Sequence, residues 1–378
     1  MNAVGIRGAG LSCALGLDAS SCVDRLLAGT GTPEQVRVEG LAEPVDVAYF
    51  RIPDGAPLFD PRRFERLLPA VVQTALRDSG LSAAERRALP VFLGSSCFSI
   101  GLAESRYAAA LADGAAGAFP MPHCGYGYLT DLVCRAAGAE GPVFIYNTAC
   151  TASANALLGA TRALGLGRYP HALVVGAELA NRTTLAGFSG LQLLTDRQRP
   201  FAAERSGIVL GEGIGAVLLS AQARDGECRL RGGANNSDAF SVTTANPDGM
   251  SVATVLQQAL DATGVQEVRG IRVHGTASSA GDTAEALGLR KVFPRMPPLS
   301  ALKPCLGHTL GACGVNELVL YQGALQRGLL PAPEDMGTPD AGLGIQLLAR
   351  PAQAVSGSYL LNHFGFGGNN TVLVLEQP

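Results

Sequence analysis

One cysteine, Cys150, stands among small residues in YNTACTASAN, between the apolar run PVFIY and the alanine- and leucine-rich stretch TASANALLGATRALGLG. The first run reads as a buried strand and the second as a helix stopped by glycine, so Cys150 falls at a strand-to-helix elbow. There the unpaired amides of the first turn and the positive end of the helix dipole stabilise a thiolate. Such a position lowers a thiol that ordinarily titrates near about 8.5 by a unit or more. Thr148, Ala149, Ala152 and Ser153 leave room for a substrate at the sulfur. Taken alone, the stretch suits a nucleophile and a packed core thiol equally well.

The chain holds five histidines, and two of them have unusually rich surroundings. VHGTASSAGDTAE puts His274 at the end of a short apolar strand, followed by Gly275, Thr276, Ser278, Asp282 and Glu285. SALKPCLGHTLGACGVNE puts Lys303 and His308 on a loop that leads into a helix carrying Glu317. A lone histidine on such a strand is more often structural. Two such segments together with Cys150 describe a site built on a thiol and two imidazoles.

The elements that must carry these groups are legible as an alternation. VGIRGAG, PVFLGSS, PVFIYNTA, HALVVGAE and GAVLLSA are short aliphatic runs, each closed by a small or polar residue, with helix-like segments recurring between them. That pattern predicts α/β architecture with buried strands. After SAQARDGE, five further runs follow in the same order: CRLRGGANNSD, GIRVHGTA, PPLSALKPCLGHTLGA, GLGIQLL and NTVLVLEQ. Two similar α/β halves are therefore expected, residues 1–221 with the cysteine and 222–378 with the histidines. Residues 37 to 60 and 181 to 206 keep no period and read as excursions or lids. The segment PRRFERLLPAVVQTALRDSGL has apolar residues at helical spacing, interrupted by Pro69, with Gly80 as the expected C-cap.

Composition narrows the function classes. At 378 residues, 47% apolar, 16% charged and with 48 glycines, the chain has enough apolar material for a large core packed through small residues. A net charge of −3 and a pI near 6.0 provide no general attraction to nucleic acid or anionic membrane. The nine cysteines form no CxxC pair, the opening MNAVGIRGAGLS has no basic flank, and no run of 18 apolar residues occurs. A soluble cytoplasmic protein is the expectation.

In order along the chain come NTACTAS, RPFAAERSGIVLGEGIG, HGTASSAGDTAE, KPCLGHTLGACG and NHFGFGGNN. These resemble the motifs TACxxS, RPFDxxRxGxxxGEGxG, HGTxTxxGDxxE, KxxxGHxxGAxG and NxFGFGGxN of the elongating β-ketoacyl-acyl-carrier-protein synthases, members of the thiolase superfamily. The opening VGIRGAGLSCALGLDASS and the helix ending RDSGL extend the resemblance over nearly the whole chain. It implies a thiolase-like fold, two α/β halves related by a pseudo-twofold duplication in five αβαβα layers.

The resemblance also implies roles. Cys150 would accept an acyl group from a carrier thioester, with the amides of Cys150 and Phe366 as oxyanion hole and Phe366 as gate to the acyl pocket. His274 and His308 would bind the malonyl thioester carbonyl during decarboxylation, with Lys303 and Glu317 as a supporting ion pair behind His308. Thr276 and Ser278 would line the pantetheine channel, and Gly367 and Gly368 would allow close approach of the backbone. Asp282 and Glu285 are expected to be structural. The substrates would ride on the phosphopantetheine of acyl carrier protein, with no metal or diffusible organic cofactor. Arg62, Arg63 and Arg66, at the start of the PRRFERLL helix, are candidates for docking this acidic carrier.

The family is dimeric, so a homodimer or a heterodimer with a related ketosynthase-like subunit is expected. The alternative is a chain-length-determining or semi-active subunit of such a heterodimer, although those proteins characteristically lose the nucleophile. The glycine loop lacks the second cysteine of thiolases, and the initiating synthases pair one histidine with asparagine. Ala202, His363 and Asn369 depart from the family's usual Asp, Ser or Thr, and Thr. His363 is either a third active-site imidazole or a loop hydrogen-bonding residue.

Overall fold

A computed structural model describes residues 3–39, 43–77, 79–114 and 124–378. The strands are β1 (Val4–Cys13), β2 (Glu34–Val38), β3 (Val45–Phe50), β4 (Val91–Gly94), β5 (Val143–Tyr146), β6 (His171–Glu178), β7 (Leu210–Gly211), β8 (Gly213–Ser220), β9 (Arg229–Ser237), β10 (Val268–Arg272), β11 (Leu299–Ser300), β12 (Leu329–Leu330), β13 (Ala352–Gln353), β14 (Gly357–Phe364) and β15 (Asn369–Gln377). Between them run helices α1 (Ala19–Leu27), α2 (Arg63–Leu76), α3 (Ala83–Arg87), α4 (Ile100–Ala112), α5 (Tyr126–Ala137), α6 (Ala152–Gly165), α7 (Arg182–Gly190), α8 (Met250–Thr263), α9 (Ser279–Val292), α10 (Lys303–Leu306) and α11 (Cys313–Gln326).

Ten strands form one sheet in the order β11-β10-β14-β15-β9-β1-β8-β6-β4-β5. The order reads the same from both ends: β5, β4, β6, β8 and β1 match β11, β10, β14, β15 and β9. Pairing repeats too, since β4 runs parallel to β5 and β6 while β10 runs parallel to β11 and β14. The halves meet where β1 pairs antiparallel with β9, at Val4 with Leu230 and Gly5 with Arg229.

Alternation along the strands explains the layers. Leu173 and Val175 of β6 face α2 and α5, whereas Val174 faces α6 and α11. In the second half, Leu360, Val372 and Val374 face α8 and α9, whereas Tyr359, Leu361, Leu373 and Leu375 join α6 and α11. The result is α2/α5, strands, α6/α11, strands, α8/α9, the expected five layers. Strands covered on both faces are apolar almost throughout, as parallel and central strands must be.

Four sequence readings are corrected. GLGIQLL forms no strand, and the fourth strand of the second half is β14, whose SYLLNHF was not singled out because it runs into the glycine loop. Much of the excursion at 37 to 60 is ordered by pairing: β2 and β3 are antiparallel and β3 joins β7. Residues 182–190 of the other excursion are helical, capped by Asn181, whose side chain accepts from Thr184 N at 2.8 Å. Helix α2 ends at Leu76 with Arg77 as C-cap, so Gly80, at φ +71°, turns the chain after the helix rather than capping it. Among the described residues no helix is long and apolar enough to cross a membrane.

Candidate active site

The elbow forms as the residue types require. After β5, Ala149–Thr151 make one 3-10 turn that runs into α6, with Ala149 at φ +50°. Thr151 Oγ1 donates to Thr148 O at 2.7 Å, and Asn155 Nδ2 donates to Thr148 Oγ1 at 2.9 Å. Glycine lets α11 press against the start of α6, because a Cβ on Gly314 would lie 2.2 Å from Ala154 N.

Cys150 is 6% exposed, and burial pushes its thiol up to about 11. The amide of Phe366, the Lys303 ammonium and the amide of Cys150 itself pull the other way without cancelling that cost. The thiolate-lowering effect expected of the elbow is therefore outweighed, since removing a charge from water dominates here. The amides of Phe366 and Cys150, which the resemblance assigns to an oxyanion hole, are directed at this sulfur.

His274 follows β10 by two residues, and His308 follows α10. Their rings stand perpendicular with centroids 5.4 Å apart, and Phe364 packs edge-on against His274 at 5.8 Å. Both rings are buried, and burial, reinforced by Lys303, holds both well below the usual histidine range. They are neutral at pH 7. His308 Nδ1 has no hydrogen-bond partner among the described residues.

The supports are backbone bonds. Glu285 accepts from the amides of His274 at 2.8 Å and Gly275 at 2.9 Å. Asp282 accepts from Thr276 and Ala277 at 3.1 Å and from Phe201 at 2.7 Å. The His308 amide donates to Val209 O at 2.8 Å. Lys303 and Glu317 pair at 2.8 Å, but the ammonium lies against the other histidine: Nζ donates to His274 O at 2.7 Å and sits 3.5 Å from His274 Nδ1. The expected placement behind His308 is thus corrected.

Cys150, His274, His308, Thr276, Ser278, Phe366 and Gly368 line one cavity of about 270 Å³. Thr276 Oγ1 and Ser278 Oγ lie 3.0 Å apart on its wall. Phe366 stacks on Phe188, with centroids at 5.7 Å and planes 8° apart. Gly368, at φ +73°, admits no side chain, since a Cβ would fall 1.7 Å from Asp238 O. Gly367 is not part of this lining, and its amide is used to bond Val242 O at 2.7 Å.

The arginine trio divides. Arg63 is fully buried: Nε meets Asp54 at 2.9 Å, and the guanidinium is forked onto Glu212. It is unavailable to a docking partner, because the α2 face that carries it packs inward. Arg62 and Arg66 are exposed at the surface and lie near Asp60 and Asp54.

His363 is also fully buried, on β14 rather than in the loop, against Arg272. Arg272, Cys313 and Phe188 had not been singled out. A charged residue inside the apolar run of GIRVHG was the available signal for Arg272. Arg272 Nη1 meets Glu317 at 2.9 Å, so this carboxylate serves two buried cations.

Residues 1–224 match the family model for the beta-ketoacyl synthase N-terminal domain, and residues 228–335 that for the C-terminal domain. The chain is 30% identical over 329 residues to 3-oxoacyl-[acyl-carrier-protein] synthase 2 of Vibrio harveyi, covering 80% of this chain and 79% of that protein. It superposes on a chain of the ketosynthase complex with chain length factor from Xenorhabdus doucetiae with a TM-score of 0.87 at 25% identity, covering 100% of this chain and 98% of the other. The ishigamide ketosynthase/chain length factor gives 0.85 at 25% identity, over 100% and 99%.

Proposed function

The chain belongs to the β-ketoacyl synthase family, acyltransferases of chain elongation, and from that membership we propose how its own residues divide the reaction. Cys150 attacks an acyl carrier thioester, the carrier thiol leaves, and the acyl group rests on sulfur. At a resting value near 11 the nucleophile is a thiol. Its proton passes to a neutral imidazole of the shared cavity as the C–S bond forms, and from that ring to the departing carrier sulfur, which leaves as the thiol and returns the imidazole to its neutral form. The amides of Cys150 and Phe366, which converge on the sulfur, stabilise the tetrahedral oxyanion at roughly 3 kcal/mol each.

In the second half-reaction His274 and His308 bind the thioester carbonyl of malonyl carrier protein. Carbon dioxide departs, its bonding electrons form an enolate held by the imidazole N–H groups, and the enolate carbon attacks the Cys150 thioester. The sulfur leaves as a thiolate and takes a proton from water to regain its resting thiol form, and the product is a β-ketoacyl carrier thioester two carbons longer. Neutral rings with N–H donors suit this task, and both are held neutral here. Thr276 and Ser278 offer hydroxyls to pantetheine amides along the channel. The chemistry calls for no metal or organic cofactor. The single observation that carries the reading is that one cavity gathers the thiol, both imidazoles and Phe366.

For partners we infer acyl carrier protein and a second ketosynthase-like subunit, with the cytoplasm as the compartment of carrier-borne substrates. The structural relatives that are complexes with a chain length factor support a heterodimer. So does β5, the outer strand of the ten-stranded sheet, where Val143, Phe144 and Ile145 are exposed on an edge that a partner strand can extend. Retention of Cys150, His274 and His308 favours the active half of such a pair over a chain-length-determining one. Mass analysis of the protein with acyl and malonyl carrier thioesters tests this. The expected result is an acyl adduct on the Cys150 peptide and a lengthened β-keto product. Absence of both, with and without a homologous subunit, overturns the reading.

A further inference from the structure

Next to Cys150, among residues that do not line the substrate cavity, lies a buried chain of polar groups. Arg272 Nη2 is 2.5 Å from His363 Nε2 and 3.2 Å from Nδ1. His363 Nδ1 is 3.7 Å from Cys313 Sγ, and that thiol donates to the carbonyl of Cys150 at 3.0 Å. All three side chains are essentially inaccessible to water.

The two ends fix the direction of every hydrogen between them. A guanidinium only donates, so the nearer ring nitrogen, Nε2, accepts and the proton sits on Nδ1. Nδ1–H then points to the Cys313 sulfur, and the thiol hydrogen goes to the Cys150 carbonyl. His363 keeps this single tautomer because a second proton would stand beside Arg272 in a water-free site; its ring is held well below the usual range by burial and that guanidinium. Arg272 is itself fixed by Glu317, which also holds Lys303.

We infer that Arg272, His363 and Cys313 are positioning residues for the nucleophile, a one-way hydrogen-bond chain that clamps the Cys150 carbonyl. Ala149 takes a left-handed backbone conformation next to it, at φ +50°, which a non-glycine residue holds only when neighbours enforce it. Clamping the carbonyl fixes the peptide plane after Cys150, and with it the aim of the sulfur at the Phe366 amide. The inference rests on Cys150 being the nucleophile, as proposed above.

Alkylation of Cys150 by iodoacetamide, followed by mass analysis of its peptide, reads the sulfur without any carrier substrate. Cys313→Ala removes the last donor, whereas Cys313→Ser keeps an acceptor and a donor in line. At pH 8.5, Cys313→Ala is expected to alkylate about three- to tenfold more slowly, the equivalent of one net hydrogen bond, and Cys313→Ser to recover to within about twofold. The pH profile of the alanine variant should lie at higher pH. Equal rates and profiles for wild type and Cys313→Ala, or a serine variant as slow as the alanine one, overturn the clamp. Should the alanine variant fail to fold, His363→Phe against His363→Asn gives the same comparison, since asparagine both accepts and donates. Failure of wild type to take up an acyl group would count against the proposed reaction alone, because alkylation is independent of carrier.

Discussion

Lys303 reaches His274 twice, through the carbonyl at 2.7 Å and alongside Nδ1 at 3.5 Å, while its charge is shared with Glu317 at 2.8 Å. A fixed ammonium this close to a buried ring opposes a second positive charge. Lys303→Met should let both imidazoles rise toward the ordinary value near about 6.5. Since the neutral form is lost as pH falls through that value, the acid limb of condensation should move to higher pH. The profile of kcat against pH checks this; an unmoved acid limb would disprove it.

The Cys150 thiol, held up to about 11, should be mostly protonated at neutral pH. Thiolate forms as pH rises, so alkylation by iodoacetamide should increase close to tenfold per unit from about pH 7 to 10. A plateau below pH 9 would show that the elbow and the Phe366 amide overcome burial.

Arg62 and Arg63 are neighbours with opposite fates. Arg63→Ala strands Glu212 in the interior and should cost about 3–5 kcal/mol, read by denaturant unfolding. Arg62→Ala, at an exposed side chain, should change stability by no more than about 0.5 kcal/mol. If Arg62 meets the acidic carrier, Arg62→Glu raises KM for carrier-bound acyl groups and leaves kcat.

Gly314 marks the contact between α11 and α6. An added Cβ would fall 2.2 Å from Ala154 N, against backbone that cannot swing aside. Gly314→Ala should destabilise by about 1–3 kcal/mol and disturb the elbow. Thermal unfolding together with the Cys150 alkylation rate measures both effects.

At the sheet edge, Phe144 and Ile145 expose apolar side chains on a strand whose outer hydrogen-bonding groups lack a partner strand among the described residues. Changing both to Asp should leave the chain folded but monomeric by light scattering. An unchanged oligomer would place the interface elsewhere.

Much of the site was legible because its chemistry is local. NTACTAS, HGTASSAGDTAE and KPCLGHTLGACG each place a reactive side chain next to the small residues or carboxylates that shape its own loop. The duplication is legible in the order of the runs, except that GLGIQLL reads as the strand whose place β14 holds. Both are short apolar runs, and only hydrogen bonding to β10 and β15 distinguishes the true strand.

The sequence by itself determined the alternating α/β runs, the family, and the candidate thiol and imidazoles, since each depends on residue types at short spacing. Tertiary structure decided which histidine Lys303 supports and that Arg63 is an internal anchor rather than a docking residue. It also decided that burial pushes the Cys150 thiol up, and that the chain of Arg272, His363 and Cys313 ends on its carbonyl. Those outcomes depend on burial and on approaches between segments 29 to 163 residues apart. Desolvation and long-range contact leave no local periodicity in the chain, so they emerge only when the layers close.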